Sequence, residues 1–408
     1  MFTDDTPGTP RNAGGFVPPP YPYARLDDLK RQAAEAEGGL VDLSVGTPCD
    51  PVPPAVVAAL ADAAPRWAGY PSAVGSPALR EAAAGWMERR LGVSVDPTHV
   101  VACTGTKELV TSLPHVLALR DRSRDTVLYP AVSYPSYEMG ATLAGLRAVP
   151  VPLTKDWHLD LEAVSGEDAA RTLLLWLNEP GNPTGSAASG AELAATVEWA
   201  RRHGIIVASD ECYVEFTYNA FGRPTRGATA LSAGAEGVLV VHSLSKRSNM
   251  AGYRCGFLAG DGDLVGYVGQ VRTHAGSMMP GPVQAAGAVA WADDDHVELQ
   301  QLIYGERRAY ARSRLRQAGL EEAGGPGTFY LWARSRSDDE DGWATAARLA
   351  ATGTLVAPGD LYGAQGAPYV RIALVHPLDR LQLAFDRLAG EVKRRAGVRG
   401  IPSKRAAP

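Results

Sequence analysis

Between His99 and Ser243 the chain alternates short apolar runs with amphipathic ones, and this pattern restricts the possible folds more than any other feature. "HVVACTG", "DTVLYP", "TLLLWLNEP", "IIVASDE" and "GVLVVHS" read as strands. "KELVTSLPHVLAL", "YEMGATLAG" and "GAELAATVEWARRHG" carry helical spacing. "LLLWL" is apolar at every position, as expected of a strand buried on both faces. Strands separated by helices require crossover connections, which predicts an α/β fold with a mostly parallel sheet. Pro114 is expected to kink the first of these helices. From about Gln300 the pattern changes to long charged helices and two short strands, "TFYLWAR" and "PYVRIAL", which predicts a smaller α+β unit.

At 408 residues the chain is long enough for two domains sharing an interface. The expected division is a flexible Pro/Gly-rich arm over 1–23 and an N-terminal segment of the small domain over 24–50. The large domain then spans 51–290, the small C-terminal α+β domain 291–395, and a basic tail 396–408. A net charge of −5 gives no reason to expect nucleic acid or an anionic membrane as partner. No apolar run approaches the roughly 20 residues that span a bilayer. "MFTDDTPGTPRNAGGF" lacks the basic-then-apolar order of a signal peptide, so the expected location is cytoplasmic. The four cysteines and eight histidines show neither paired spacing nor an HExxH pattern, so no metal is expected.

Ligands of parallel α/β sheets lie at the carboxyl ends of strands. After "VVAC" come Gly105, Thr106 and Lys107, small residues opening a helix whose free N–H groups suit a phosphate. "AVSYPSY" carries Tyr134 and Tyr137 on a Pro-stiffened loop, where an aromatic ring can lie on a planar ligand. "NEPGNPTG" carries Asn178 and Asn182, and "DECY" carries Asp210 and Tyr213. The last strand is followed by Ser243, Ser245, Lys246 and Arg254. These loops supply a phosphate cradle, an aromatic plate, an amide, a carboxylate, a phenol, an amine and a guanidinium. Pyridoxal 5′-phosphate uses all of them: its aldehyde takes a lysine amine as a Schiff base, and its pyridine nitrogen takes a carboxylate.

"SLSKRSNMAGYRCG", "NEPGNPTG" and "SDECY" resemble the motifs of fold-type I, class I/II pyridoxal-phosphate aminotransferases, over about residues 21–391. The resemblance implies a large domain with a mostly parallel seven-stranded sheet. It implies Lys246 as Schiff-base lysine and proton shuttle, Asp210 at the ring nitrogen, and Asn182 and Tyr213 at the phenolic oxygen, with Lys246, Asp210 and Tyr213 as the catalytic group. Tyr134 would stack on the ring. Gly105, Thr106, Lys107, Ser243, Ser245 and Arg254 would surround the phosphate. Arg371 would clamp the substrate α-carboxylate, with Gly46 and Asn182 beside it. Tyr70 would reach the phosphate of a neighbouring subunit, which implies a homodimer with shared active sites.

"TKELVTSLPHVLAL", "RTHAGSMMPGPVQAAGAVAWADDDHV" and "VAPGDLYG" are similar to the actinobacterial N-succinyldiaminopimelate aminotransferases of lysine and cell-wall biosynthesis. That implies glutamate as amino donor and N-succinyl-2-amino-6-oxopimelate as acceptor. Arg247, Arg272 and Lys107 are then expected near the distal carboxylate. "ALRDRSRDTV" and "NAFGRPTRGATA" depart from that branch. The same residues would also serve a lyase, racemase or oxidase of a specialised biosynthetic pathway, or a non-catalytic regulator that binds the cofactor.

Overall fold

A computed structural model of the chain describes residues 16–399. Its centre is a seven-stranded sheet. In chain order the strands are β1 (Val100–Cys103), β2 (Thr126–Pro130), β3 (Arg147–Val151), β4 (Thr172–Asn178), β5 (Ile206–Asp210), β6 (Val238–Ser243) and β7 (Gly256–Gly260). Their spatial order is β1-β7-β6-β5-β4-β2-β3. All neighbours are parallel except β7, which runs antiparallel to both β1 and β6. Strand β7, "GFLAG", went unread in the sequence because glycine at both ends hides a five-residue run.

Successive side chains of a strand point to opposite faces, and the two cores follow that rule. Leu175, Leu177, Val207, Val238 and Val240 pack into one cluster. Leu174, Trp176, Ala208, Leu239 and Val241 pack into the other. Every residue of β4 is buried, which is why its sequence shows no alternation.

Three helices show how local sequence and packing combine. Helix α1 (Thr106–Arg120) follows β1 and continues through Pro114, where the kink was expected. A proline at 114 leaves the Val110 carbonyl without its helical donor. Helix α2 (Ser136–Leu143) packs against that turn, where a Cβ on Gly140 would lie 2.8 Å from the Val110 oxygen, so only glycine permits the approach. Helix α3 (Gly190–Arg202) starts at a reciprocal capping box of Ser189 and Glu192.

A second, antiparallel sheet has the order β8-β9-β11-β10, with β8 (Leu320–Glu322), β9 (Tyr330–Ser335), β10 (Ala357–Pro358) and β11 (Tyr369–Ala373). It therefore has two strands more than its sequence suggested. Val41–Asp42 pairs in parallel with Thr354–Leu355 as a separate two-stranded sheet, and the Ala373 N–H donates to the Leu43 carbonyl at 2.8 Å, which ties the segment before residue 50 to β11. Helix Asp295–Leu315 precedes it and helix Leu378–Arg399 closes it. Residues 1–15 of the expected arm and 400–408 of the expected tail lie outside the described residues. Within the described part, the arm is ordered before residue 23: Pro22–Leu26 form a 3-10 turn, and Leu26 is buried. No helix among the described residues is long and apolar enough to cross a membrane, and no cluster of three metal-ligating side chains occurs there.

Candidate active site

The carboxyl ends of β1, β4, β5 and β6 open into one cavity of about 450 Å³, which the second sheet and the N-terminal segment close from above. Among the sequence-predicted residues, Gly46, Thr106, Lys107, Tyr134, Asn182, Asp210, Tyr213, Ser243, Ser245, Lys246, Arg254 and Arg371 all line it. They are up to 325 positions apart in the chain, Gly46 to Arg371.

Lys246 sits in the single helical turn Leu244–Arg247 that follows β6. Its Nζ donates to the Gly46 carbonyl. Burial pushes its pKa down to about 8, and the Arg371 and Arg254 guanidiniums push in the same direction. An amine in that range is unprotonated often enough near neutrality to act as a nucleophile and proton carrier.

Asp210 ends β5 and is buried. Its Oδ1 accepts from the Cys212 N–H at 3.2 Å and its Oδ2 from the Tyr137 hydroxyl at 3.0 Å. Burial raises its pKa above the usual carboxylate range, against those hydrogen bonds and the Lys246 charge. Among the described residues it forms no ion pair. A buried carboxylate held by neutral donors is suited to face a cationic ligand nitrogen.

The third group is polar and rigid. The Asn178 side-chain amide donates to the Asp210 carbonyl at 3.1 Å, and its Oδ1 accepts from the Asn182 N–H at 2.8 Å. Asn182 Oδ1 in turn accepts from Arg371 Nη1 at 2.8 Å. Arg371, on β11, also donates Nη2 to the Ser44 carbonyl at 2.6 Å. Its guanidinium lies 4.1 Å from the Tyr330 ring centre and 5.0 Å from that of Tyr362. Its buried Nε has no partner. A Cβ on Gly46 would stand 1.8 Å from the Tyr330 hydroxyl, so the loop can approach Lys246 only as glycine. The Tyr213 and Tyr330 hydroxyls meet at 2.8 Å.

The far end is cationic. Helix α1 opens at Gly105 without a side-chain cap, which leaves its first N–H groups available to an anion. Arg254 adopts a left-handed backbone (φ 60°), and its Nη1 donates to the Ala251 carbonyl at 2.9 Å. φ at Gly105 is +78°, which favours glycine, and a Cβ there would lie 2.1 Å from Arg254 Nη2 and push that side chain from its place. Ser243 Oγ donates to Ser245 Oγ at 2.9 Å beside it.

These features fit pyridoxal 5′-phosphate. Helix α1, Arg254 and the two serines form an anion cradle, while Asp210 lies buried and unpaired. Lys246 has a depressed pKa, and the Tyr134 ring stands on the wall.

Two expectations change. Arg272 donates to both carboxylate oxygens of Glu108, at 2.7 and 3.0 Å, and does not line the cavity. Arg247 is buried against Glu215 and Asp294 and donates to the Ala290 carbonyl at 2.6 Å, also off the cavity wall. Both charges are already matched, so neither is a free cation for a distal carboxylate. The Lys107 ammonium lies 4.8 Å from the Tyr21 ring centre and 5.6 Å from that of Tyr134. Gly105 and Tyr70 are not among the residues that line the cavity, and Tyr70 is 96% exposed.

Several lining residues went unassigned in the sequence: Tyr21, Tyr23, Cys212 and Tyr330. Nothing local marks Tyr330 or Tyr23, since each reaches the site only through tertiary packing. Tyr137 and Asn178 stood in the strand-end loops already singled out, and that position was their signal.

The sequence profile of the family "Aminotransferase class I and II" matches residues 39–388. The 4-dedimethylamino-4-oxo-anhydrotetracycline transaminase OxyQ of Streptomyces rimosus is 42% identical over 91% of this chain and 99% of its own length. The LL-diaminopimelate aminotransferase of Aquifex aeolicus is 34% identical over 91% of this chain and 96% of its own. The solved structure of a probable N-succinyldiaminopimelate aminotransferase from Thermus thermophilus superposes with a TM-score of 0.81 at 33% identity, covering 91% of this chain and all of that one.

Proposed function

The chain belongs to the class I and II aminotransferases, which depend on pyridoxal phosphate, and on that premise we propose that it transfers an amino group from glutamate to a 2-oxo acceptor, with Lys246 as the catalytic base. The observation that carries this reading is the pairing in one cavity of a buried amine whose pKa is down to about 8 with a buried carboxylate that has no cationic partner.

When bound, the cofactor supplies an aldehyde to take up the amino group and a conjugated ring to accept the electron pair left at the substrate Cα. The chain's own residues do the rest. Arg254, Ser243, Ser245 and the N–H groups at Thr106 and Lys107 would hold the phosphate. Asp210, positioned by Tyr137, would keep a proton on the ring nitrogen. Asn182 and Tyr213 would donate to the phenolic oxygen, and Tyr134 would face the ring. Lys246 takes the proton from Cα and returns it. Arg371 holds the α-carboxylate through its planar fork, with Tyr330 and Tyr362 beneath it and Asn182 fixing one nitrogen.

Glutamate should convert the holoenzyme from its aldehyde to its amine absorbance and release 2-oxoglutarate. A release of ammonia with oxygen consumption would assign a different reaction. Arg371→Lys should lower kcat/KM for every amino donor on the order of 10²-fold, because a point charge cannot replace a bidentate pair worth roughly 2–3 kcal/mol. An unchanged value would remove Arg371 from substrate binding.

Tyr70 is proposed to serve a neighbouring subunit, which its near-complete exposure supports. The protein should then sediment as a homodimer with an obligate interface above about 2,000 Å². An active monomer at assay concentration would refute this.

An N-succinyl-2-amino-6-oxopimelate acceptor needs a cation for its distal carboxylate. Of the three side chains expected there, only Lys107 stands on the cavity wall. The acceptor is otherwise met by tyrosines, which favours a second reading in which a ring-bearing oxo compound is aminated, as the name of the Streptomyces relative describes for that protein.

A further inference from the structure

The substrate side of the cavity is built unlike a site for an extended acyl chain. Tyr21 and Tyr23 stack on each other with ring centres 5.7 Å apart and planes 25° apart. The Tyr23 hydroxyl meets that of Tyr362 at 2.5 Å, and Tyr362 in turn lies against the Arg371 guanidinium. The N-terminal segment is thereby anchored beside the carboxylate clamp by a contact spanning 339 positions. Tyr21 remains 52% exposed, with part of its surface on the cavity wall. The Lys107 ammonium is held over the Tyr21 and Tyr134 rings and makes no ion pair among the described residues. Asp210 is the only carboxylate among the described lining residues.

A planar ring gains from stacking on the exposed part of a tyrosine ring, and anionic or phenolic oxygens on its rim gain from an ammonium held at the same ring. A flexible aliphatic arm gains neither and loses rotamer freedom on binding. We infer that the amino acceptor, or its amino-acid product, carries a flat aromatic ring system that stacks on Tyr21, with Lys107 meeting its ring oxygens. This makes Tyr21 a specificity-determining residue, and it rests on the transaminase reading of the same site.

Direct binding tests it without turnover. Calorimetry on the holoenzyme would compare three unreactive carboxylates: hexanoate, 3-phenylpropionate and 3-(indol-3-yl)propionate. All three can meet Arg371, and only the last two bring a ring. The ring compounds should bind tighter than hexanoate, roughly 3- to 10-fold. Tyr21→Ala should abolish that advantage while leaving hexanoate within about twofold, and Tyr21→Phe should restore it, since stacking needs the ring rather than the hydroxyl. The single and fused rings separate an aryl amino acid from a larger ring system. A preference that grows from phenyl to indole assigns the fused ring, and one confined to phenyl assigns the smaller class.

Hexanoate binding as well as the ring compounds would overturn the inference, as would a ring advantage that survives Tyr21→Ala. The amino-acid half-reaction keeps the two readings apart. If glutamate converts the cofactor and N-succinyldiaminopimelate reacts faster than phenylalanine, tyrosine and tryptophan, the ring inference falls and the transaminase stands. If no amino acid converts the cofactor, the transaminase reading itself falls.

Discussion

Lys246→Ala should lose on the order of 10²- to 10⁴-fold in kcat, the usual contribution of a positioned acid–base group, and should retain cofactor only without a covalent bond. Borohydride reduction of the wild-type holoenzyme followed by peptide mapping should place the label on Lys246. A label on Lys107, the other lysine on the cavity wall, would overturn the assignment.

The same residue gives a pH signature in the protein freed of cofactor. The folded amine ionises near 8, the unfolded one near 10.5. Below 8 both are charged, and the folded chain carries the full cost of a buried cation. Between the two values the unfolded state binds the extra proton, so stability rises with pH. Above both, the difference is gone. Cofactor-free Lys246→Met should therefore be more stable than wild type at pH 7, and the gain should fade as pH climbs from about 8 toward 10.5. Denaturant melts at several pH values would check this, and a pH-independent difference would place the amine in water.

Asp210→Asn should leave the fold intact and slow the chemical step by roughly 3–5 kcal/mol, the range for breaking one side of a buried charge pair. That corresponds to about 10²- to 10⁴-fold in kcat. The amide matches the carboxylate in shape, so the loss isolates its charge. Burial holds this carboxyl above its usual range in the cofactor-free chain, and a cationic ring nitrogen opposite would draw it back down. Cofactor binding should accordingly weaken as pH falls in wild type and vary less with pH in Asp210→Asn. Near-native turnover in the variant with cofactor bound would end the proposed role.

The tyrosines around Arg371 show where sequence reading stops. Arg371 itself was legible from "YVRIAL", a cation inside an apolar strand. Tyr330, beneath its guanidinium, lies on β9, whose pairing sets Trp332, not Tyr330, opposite Arg371. Tyr362 and Tyr23 arrive from the 3-10 turn Gly359–Tyr362 and from the N-terminal one. No spacing links these residues, because contacts between chain segments leave no period in a sequence.

The sequence alone determined the strand–helix alternation and, through it, the parallel sheet, because the periods of buried strands and amphipathic helices are local properties of the backbone. It also fixed which loops stand at the strand ends, and so collected Asp210, Asn182, Ser243, Lys246 and Arg254 before any coordinates. Tertiary structure alone decided which charges remain available. Arg272 and Arg247 read as free cations until packing set Glu108 and Glu215 against them, 164 and 32 positions away. A buried charge takes its meaning from the partner that packing brings to it, and that same packing set tyrosine rings, with Lys107 over them, on the wall where a distal carboxylate had been expected.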